Sequence, residues 1–291
     1  MRKLFALLAL LPALALGGGA SSLMLSYGAT ESVDPFYSSV VSLMHFSGAE
    51  GSTTFVDEKG NTWTATGTAQ QTQTLFQFAP GSLVPNVPPT GGGGGDYIET
   101  PSSASFGYGT GDFTIEMWIK QTSGDANAFN IFYDQRTALN QAVPTLYYPT
   151  DGSLRYFVSG ADQITSAAGT IVTTGTTPWQ FIAISRVSGN TRLFVDGVQV
   201  GSTFVDATNY VSSHLLLLQA GDNLIANIGL NGAIDDFRIT NGVGRYTGNF
   251  TPPTAPFPNQ YRGSLWQSTF TNDAPTDASP DADLERRNPD A

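Results

Sequence analysis

The groups able to do chemistry in this sequence are few and scattered. Its 291 residues include two histidines and no cysteine, which removes disulfides, thiolate metal sites and a cysteine nucleophile. His45 and His214 lie in apolar runs separated by most of the chain, as strand histidines would. No serine sits in a Gly-x-Ser-x-Gly elbow where a base could activate it. Asp235 has the most to explain. It shares the alternation of Phe237 and Ile239, which should point inward, so its carboxylate needs donors or a cation. Backbone or hydroxyl groups would satisfy it. Calcium, the metal to consider, wants several hard oxygens, and only scattered ones accompany Asp235. Its neighbour Asp236 is expected to face solvent.

Sugar binding would call for an aromatic ring to stack on a pyranose face, with fixed polar groups for the hydroxyls. Tyr147, Tyr148, Arg155 and Tyr156 cluster around one hairpin and are the ligand-binding candidates. Tyr108 lies in a Gly-rich loop, whereas Trp118 and Trp179 belong to strand patterns and read as structural.

The elements that must position these residues are strands. From Phe181 to Val200 the period is two: Phe181 and Ala183 alternate with Ile182 and Ile184. Leu193 and Val195 then face Val198 and Val200 across Asp196-Gly197, a dipeptide suited to a tight hairpin. A strand apolar on both sides belongs centrally in one sheet of a packed pair. Further runs fall at Val40–Phe46, Thr53–Val56, Thr62–Ala65, Leu75–Phe78, Tyr97–Ile98, Phe113–Ile119, Phe129–Tyr133, Thr145–Tyr148, Leu154–Val158, His214–Gln219 and Ala233–Thr240. Pro80 to Gly95, ending in five glycines, reads as an exposed loop or a close-packed crossing. No helical stripe appears after residue 35. The pattern predicts an all-β, two-sheet antiparallel β-sandwich over residues 36–259.

A formal charge of −11 with 13 scattered Lys and Arg argues against nucleic acid as a partner. Residues 1–20 have a basic start, a short apolar centre and small residues at the end, as in a signal peptide or an anchoring segment; the run is too short for a membrane span. Residues 21–35 read as a linker. Pro252 to Pro258 predicts an extended exit along the domain surface. Residues 260–291 read as an acidic, largely disordered tail, in which Trp266 and Phe270 offer a docking peptide for a neighbouring subunit.

Four segments in register carry a resemblance: Asp112-Phe-Thr-Ile-Glu-Met-Trp118, Pro178-Trp-Gln-Phe-Ile-Ala183, Arg192-Leu-Phe-Val-Asp-Gly197 and Gly232-Ala-Ile-Asp-Asp-Phe-Arg-Ile239. They resemble laminin-G-like jelly-roll domains of the concanavalin A-like lectin/glucanase superfamily. Asp34 to Phe46, Gly51-Ser-Thr-Thr-Phe55 and Gly244-Arg-Tyr through Pro258 are similar to the version common in tailed-bacteriophage and prophage proteins. The resemblance implies a jelly roll that binds glycans or proteins, with an occasional structural calcium. Phe46-Ser47-Gly48 stands where the family often has Phe-Asp-Gly, so one carboxylate able to help hold calcium is missing. Glucanases of the superfamily use carboxylates two residues apart on one strand; the matching strand has only Glu116, flanked on its face by Thr114 and Trp118. A single carboxylate cannot fill both roles, so the expectation is no enzyme. It is a non-catalytic adhesion or decoration module on a virion, recognising surface glycan or protein, with other virion proteins reached through the N-terminal segment or Trp266 and Phe270. A secreted lectin-like protein is the alternative, and a glycoside hydrolase is disfavoured.

Overall fold

The computed structural model describes residues 33–85, 96–122, 129–138, 140–173, 178–211, 213–218 and 229–259. In chain order the strands are β1 (Val40–Met44), β2 (Phe55–Val56), β3 (Thr62–Thr66), β4 (Gln70–Thr72), β5 (Ser82–Val84), β6 (Tyr97–Thr100), β7 (Phe113–Gln121) and β8 (Phe129–Asp134). They continue as β9 (Thr145–Pro149), β10 (Arg155–Val158), β11 (Ala161–Thr165), β12 (Gln180–Val187), β13 (Asn190–Val195), β14 (Val198–Val205), β15 (Leu215–Leu217) and β16 (Gly232–Asn241). All pairings are antiparallel. They form two eight-stranded sheets, β14-β13-β12-β7-β16-β5-β4 with β1 added on β16, and β11-β10-β9-β8-β15-β6-β3-β2.

Alternation along β12 sorts its side chains between two interiors. Ile182 and Ile184 enter the core between the sheets with Ile115, Met117, Phe237 and Ile239, where they meet Tyr133, Tyr148, Tyr156 and Leu217 of the second sheet. Phe181 and Ala183 point the other way and are equally buried, because the outer face of the first sheet is roofed by chain flanks. Tyr37 from the N-terminal side, Phe78 from a loop, and Tyr246, Phe250 and Phe257 from the C-terminal side pack there on Trp118, Phe181 and Phe194. The extended exit of the chain therefore lies on this face.

Charges are buried under the same roof. Arg238 of β16 donates to Glu116 of β7 at 2.8 Å and to Asp34 at 2.9 Å, and its guanidinium lies 3.8 Å from the Phe257 ring. Arg245 donates to Asp34 at 2.7 Å, and Tyr246 Oη donates to Glu116 at 2.6 Å. Burial alone would push the Asp34 carboxyl up, but the Arg245 hydrogen bond and the two arginine charges hold it below the usual carboxylate range.

Both hairpin turns after β12 take the left-handed pair of conformations that their residues predict, with φ of 50° and 72° at Ser188-Gly189 and 49° and 76° at Asp196-Gly197. Several expectations are corrected. Leu75–Phe78 is an irregular segment, because its amides are committed to Asp235. Part of the Pro/Gly stretch, Ser82–Val84, is an edge-side strand against β16. The polar strands β4 and β11 carry no apolar alternation to announce them. Asp236 is 1% exposed and not solvent-facing. A bulge centred there, with φ of 49°, breaks the alternation and sends Asp235 to the roofed outer face while Phe237 faces the core. The apolar segment 1–20, most of the 21–35 linker, the five glycines, Gln219 and the tail with Trp266 and Phe270 lie outside the described residues.

Candidate functional site: the outer face of the second sheet

Across the second sheet the registers place one row of residues on the outer face: Phe157 opposite Thr145, Thr145 opposite Asp134, Asp134 opposite Leu216, Leu216 opposite Glu99, and Glu99 opposite Thr64. One end of this face is aromatic. Phe129 and Tyr147 meet edge to face at 5.6 Å, and together with Ile131 and Phe157 they form a small apolar cluster separate from the core. Tyr147 donates to Asp162 Oδ1 at 2.7 Å, while Arg155 donates to Asp162 Oδ2 at 2.7 Å, so the ledge is bordered by a fixed polar triad. Burial and the acidic acceptor push the Tyr147 hydroxyl up to about 12, so it stays a neutral donor at physiological pH.

Towards the other end a cleft of about 520 Å³ opens between β3, β6 and the side chains of Thr137, Gln141, Ser213 and His214. Glu99, Thr64, Ser102, Thr137, Gln141 and His214 are among its lining residues. His214 Nε2 stands 2.9 Å from the carbonyl oxygen of Arg136 and must donate to it, which leaves Nδ1 as the acceptor of the neutral ring. Gln141 Oε1 accepts from the amides of Thr137 and Ala138, which fixes the orientation of the side-chain amide and leaves its NH₂ as donor. Between ledge and cleft, Asp134 takes a two-pronged ion pair from Arg136 at 2.9 Å and a hydrogen bond from Thr145 at 2.7 Å. The Arg136 guanidinium lies 5.1 Å from the Phe157 ring. The face thus combines rings, hydroxyls and oriented amides, the set that polyhydroxylated or peptide ligands require.

The structure divides the predicted ligand group. Tyr147 and Arg155 lie on the outer face, Tyr147 only 9% exposed, but Tyr148 and Tyr156, being the adjacent residues in their strands, point into the core with no exposure. Tyr148 donates to Gln121, and Tyr156 joins Tyr210 at 2.6 Å in a chain that ends on Asp206, so both hydroxyls are internal. Tyr108 is also buried, stacked on Phe113 at 4.5 Å. Phe129, Phe157, Glu99 and Gln141 were missed by the sequence reading. Phe157 could have been found there, since it sits two residues from Arg155 and so shares its face.

Asp235 Oδ2 accepts from the amides of Gln77 and Phe78 at 2.8 and 2.9 Å, so the backbone satisfies one of its two oxygens. Its carboxylate neighbour Asp236 is held by His45 Nδ1 at 2.6 Å and by the Phe257 amide at 2.7 Å. Asp235 Oδ1 is buried without a hydrogen-bond partner, and among the described residues no group of three or more His, Asp or Glu is placed to hold a metal. Glu116 is wholly buried between Arg238 and Tyr246.

The family model for the concanavalin A-like lectin/glucanases superfamily matches residues 92–243, just over half of the chain. The chain belongs to this superfamily. The matched span runs from before β6 to the end of β16, so it contains the aromatic ledge, Glu99 and His214. It leaves out β1 to β5 and the C-terminal flank that roofs the first sheet. Comparison with curated proteins finds no match.

Solved structures share the fold of this superfamily member. The binding domain of botulinum neurotoxin DC in complex with rat synaptotagmin II is 15% identical with a TM-score of 0.51, over 80% of this chain and 52% of that one. The binding domain of Paraclostridial Mosquitocidal Protein 1 is 17% identical with a TM-score of 0.51, over 70% and 49%. A botulinum neurotoxin type C structure, whose cell entry depends on interaction with two ganglioside molecules, is 13% identical with a TM-score of 0.51, over 80% and 52%. The match spans about half the length of each of these solved chains.

Proposed function

We propose that this superfamily member is a non-catalytic binding module that recognises surface glycan or protein through the outer face of its second sheet. We further propose that it serves a phage or prophage particle as an adhesion or decoration module. The observation that carries the binding reading is an asymmetry. Among the described residues, the outer face of the first sheet is covered by the chain's own flanks, whereas that of the second, though buried along its middle at Thr145, Asp134 and Leu216, presents the partly exposed Phe129 and Phe157 rings at one end and a polar cleft at the other. The similar folds include a binding domain in complex with synaptotagmin II and a neurotoxin whose cell entry depends on ganglioside molecules, which supports the glycan-or-protein class. A non-catalytic role is further supported by Glu116, buried and ion-paired where a substrate cannot reach it.

The virion placement rests on the resemblance of Gly244 to Pro258 to phage proteins. The leader-like layout of residues 1–20 favours the second reading, a secreted lectin-like protein using the same face. Glycan arrays and binding to host cells test the face. Tyr147→Ala combined with Phe157→Ala should weaken binding by about tenfold or more while thermal melting still shows a folded domain. Unchanged affinity would exclude this face. Intact mass and N-terminal sequencing of protein from its natural source test placement: a full-length chain that co-purifies with particles is expected, and a chain starting near Ser21 in culture fluid would replace the virion reading with the secreted one.

A further inference from the structure

The cleft at the far end of the row has a chemical bias that narrows its ligand. Glu99 lies in mid-strand on β6, half-exposed, and projects to the open face between Thr64 and Leu216. Among the described residues its carboxylate has neither a hydrogen-bond donor nor a cation. The two arginines of this face are both spent, Arg136 on Asp134 and Arg155 on Asp162. No Lys or Arg is among the residues that line the cleft. An unpaired carboxylate on a strand, walled by neutral groups, repels a negatively charged ligand and has lone pairs for donors.

Resting on the binding reading above, we infer that the cleft holds an uncharged saccharide unit, with a pair of neighbouring hydroxyls donating to the Glu99 carboxylate. The Gln141 amide then supplies the matching donor to a ring or hydroxyl oxygen, and His214 Nδ1 accepts from another hydroxyl. Such hydrogen bonds to an ionised acceptor are about twice as strong as neutral ones. They suit a ligand rich in O–H groups and poor in charge. Strands about 4.8 Å apart put the cleft and the Phe157 end of the ledge four strand steps from each other, roughly 19 Å. An extended oligosaccharide could then stack on the ledge with one unit while another enters the cleft. Acidic glycans are excluded from the cleft by the same carboxylate, in keeping with the overall charge of −11.

The test uses the full chain and pairs of oligosaccharides that differ only in a terminal carboxylate-bearing sugar, measured by calorimetry after an array has picked the backbone. The uncharged member is expected to bind about tenfold or more tightly than its acidic partner, and Glu99→Gln should weaken uncharged binding by about tenfold while narrowing that preference. Glu99→Gln keeps the shape of the side chain, and an unchanged melting temperature confirms that the strand is intact. Equal or tighter binding of the acidic member overturns the inference, as does full affinity in Glu99→Gln. Loss in Tyr147→Ala but not in Glu99→Gln keeps the binding face and removes the role of the cleft. Binding to a host protein with no glycan bound removes the saccharide altogether.

Discussion

Asp235 and His45 show how individual ionisable groups are tuned by the roof over the first sheet. Burial pushes the Asp235 carboxyl up to about 7, against the opposing help of the Phe78 and Gln77 amides. An acid whose folded value exceeds its unfolded value of 3.8 binds its proton more tightly in the folded state, so its contribution to stability falls as pH rises from about 4 to about 7. Burial pulls His45 down, but the Asp236 carboxylate outweighs this and leaves it above 6.5, so its contribution is present below 6.5 and lost as pH rises through the folded value. The two act in the same direction. Melting temperature should therefore be higher near pH 5 than near pH 8, and Asp235→Asn should flatten that slope while stabilising the protein at pH 8 by about 1–3 kcal/mol. A melting curve that rises towards pH 8 in the wild type would contradict this assignment. Glu116→Gln is a contrasting case, since it leaves Arg238 buried with one charged partner fewer; urea unfolding should show a loss of about 3 kcal/mol.

At the level of elements, the β13–β14 hairpin and the C-terminal flank hold each other. The carbonyl of Gly197 accepts from the Phe250 amide at 2.9 Å, and a Cβ at Gly197 would come within 2.0 Å of the Phe250 oxygen. Gly197→Ala therefore faces both a φ of 76° and a clash with backbone, and denaturant titration should show a loss of about 2–3 kcal/mol. Phe257→Ala removes a ring that is 3% exposed and lies against both Phe181 and Arg238; a loss of about 3 kcal/mol is expected in the same titration. These dependencies explain what the sequence made legible. β12 to β14 could be read residue by residue because alternation and turn chemistry are local. The destination of Asp235 could not, because a bulge set by a single positive φ at Asp236 reverses every face before it, and nothing in Ile234-Asp235-Asp236-Phe237 marks that bulge.

For the whole molecule, the two-layer architecture follows from strands that are apolar on one or both sides, and that much was visible as period two. Which of the two outer faces is roofed by the flanks was not visible, because it depends on where the distant segments Asp34–Ser39 and Tyr246–Phe257 come to rest. Half of the ligand group was misplaced for a related reason: neighbouring tyrosines in a strand must part company, and sequence adjacency of Tyr147 with Tyr148 concealed it. The prediction at this scale is one of protection. Hydrogen exchange should be slow in β7, β12 and β16, which are covered on both sides, and faster in the edge strands β11 and β14; comparable rates in both sets would contradict the layered burial described above. The ion pair between Asp34 and Arg245 has a further consequence for handling the protein. It gathers the two described ends of the domain onto the side away from the ledge and cleft, so a sensor chip or bead joined through either flank would display the recognition surface outward. Many copies held in that way would present the proposed binding face side by side, so that weak single contacts to one multivalent ligand add up.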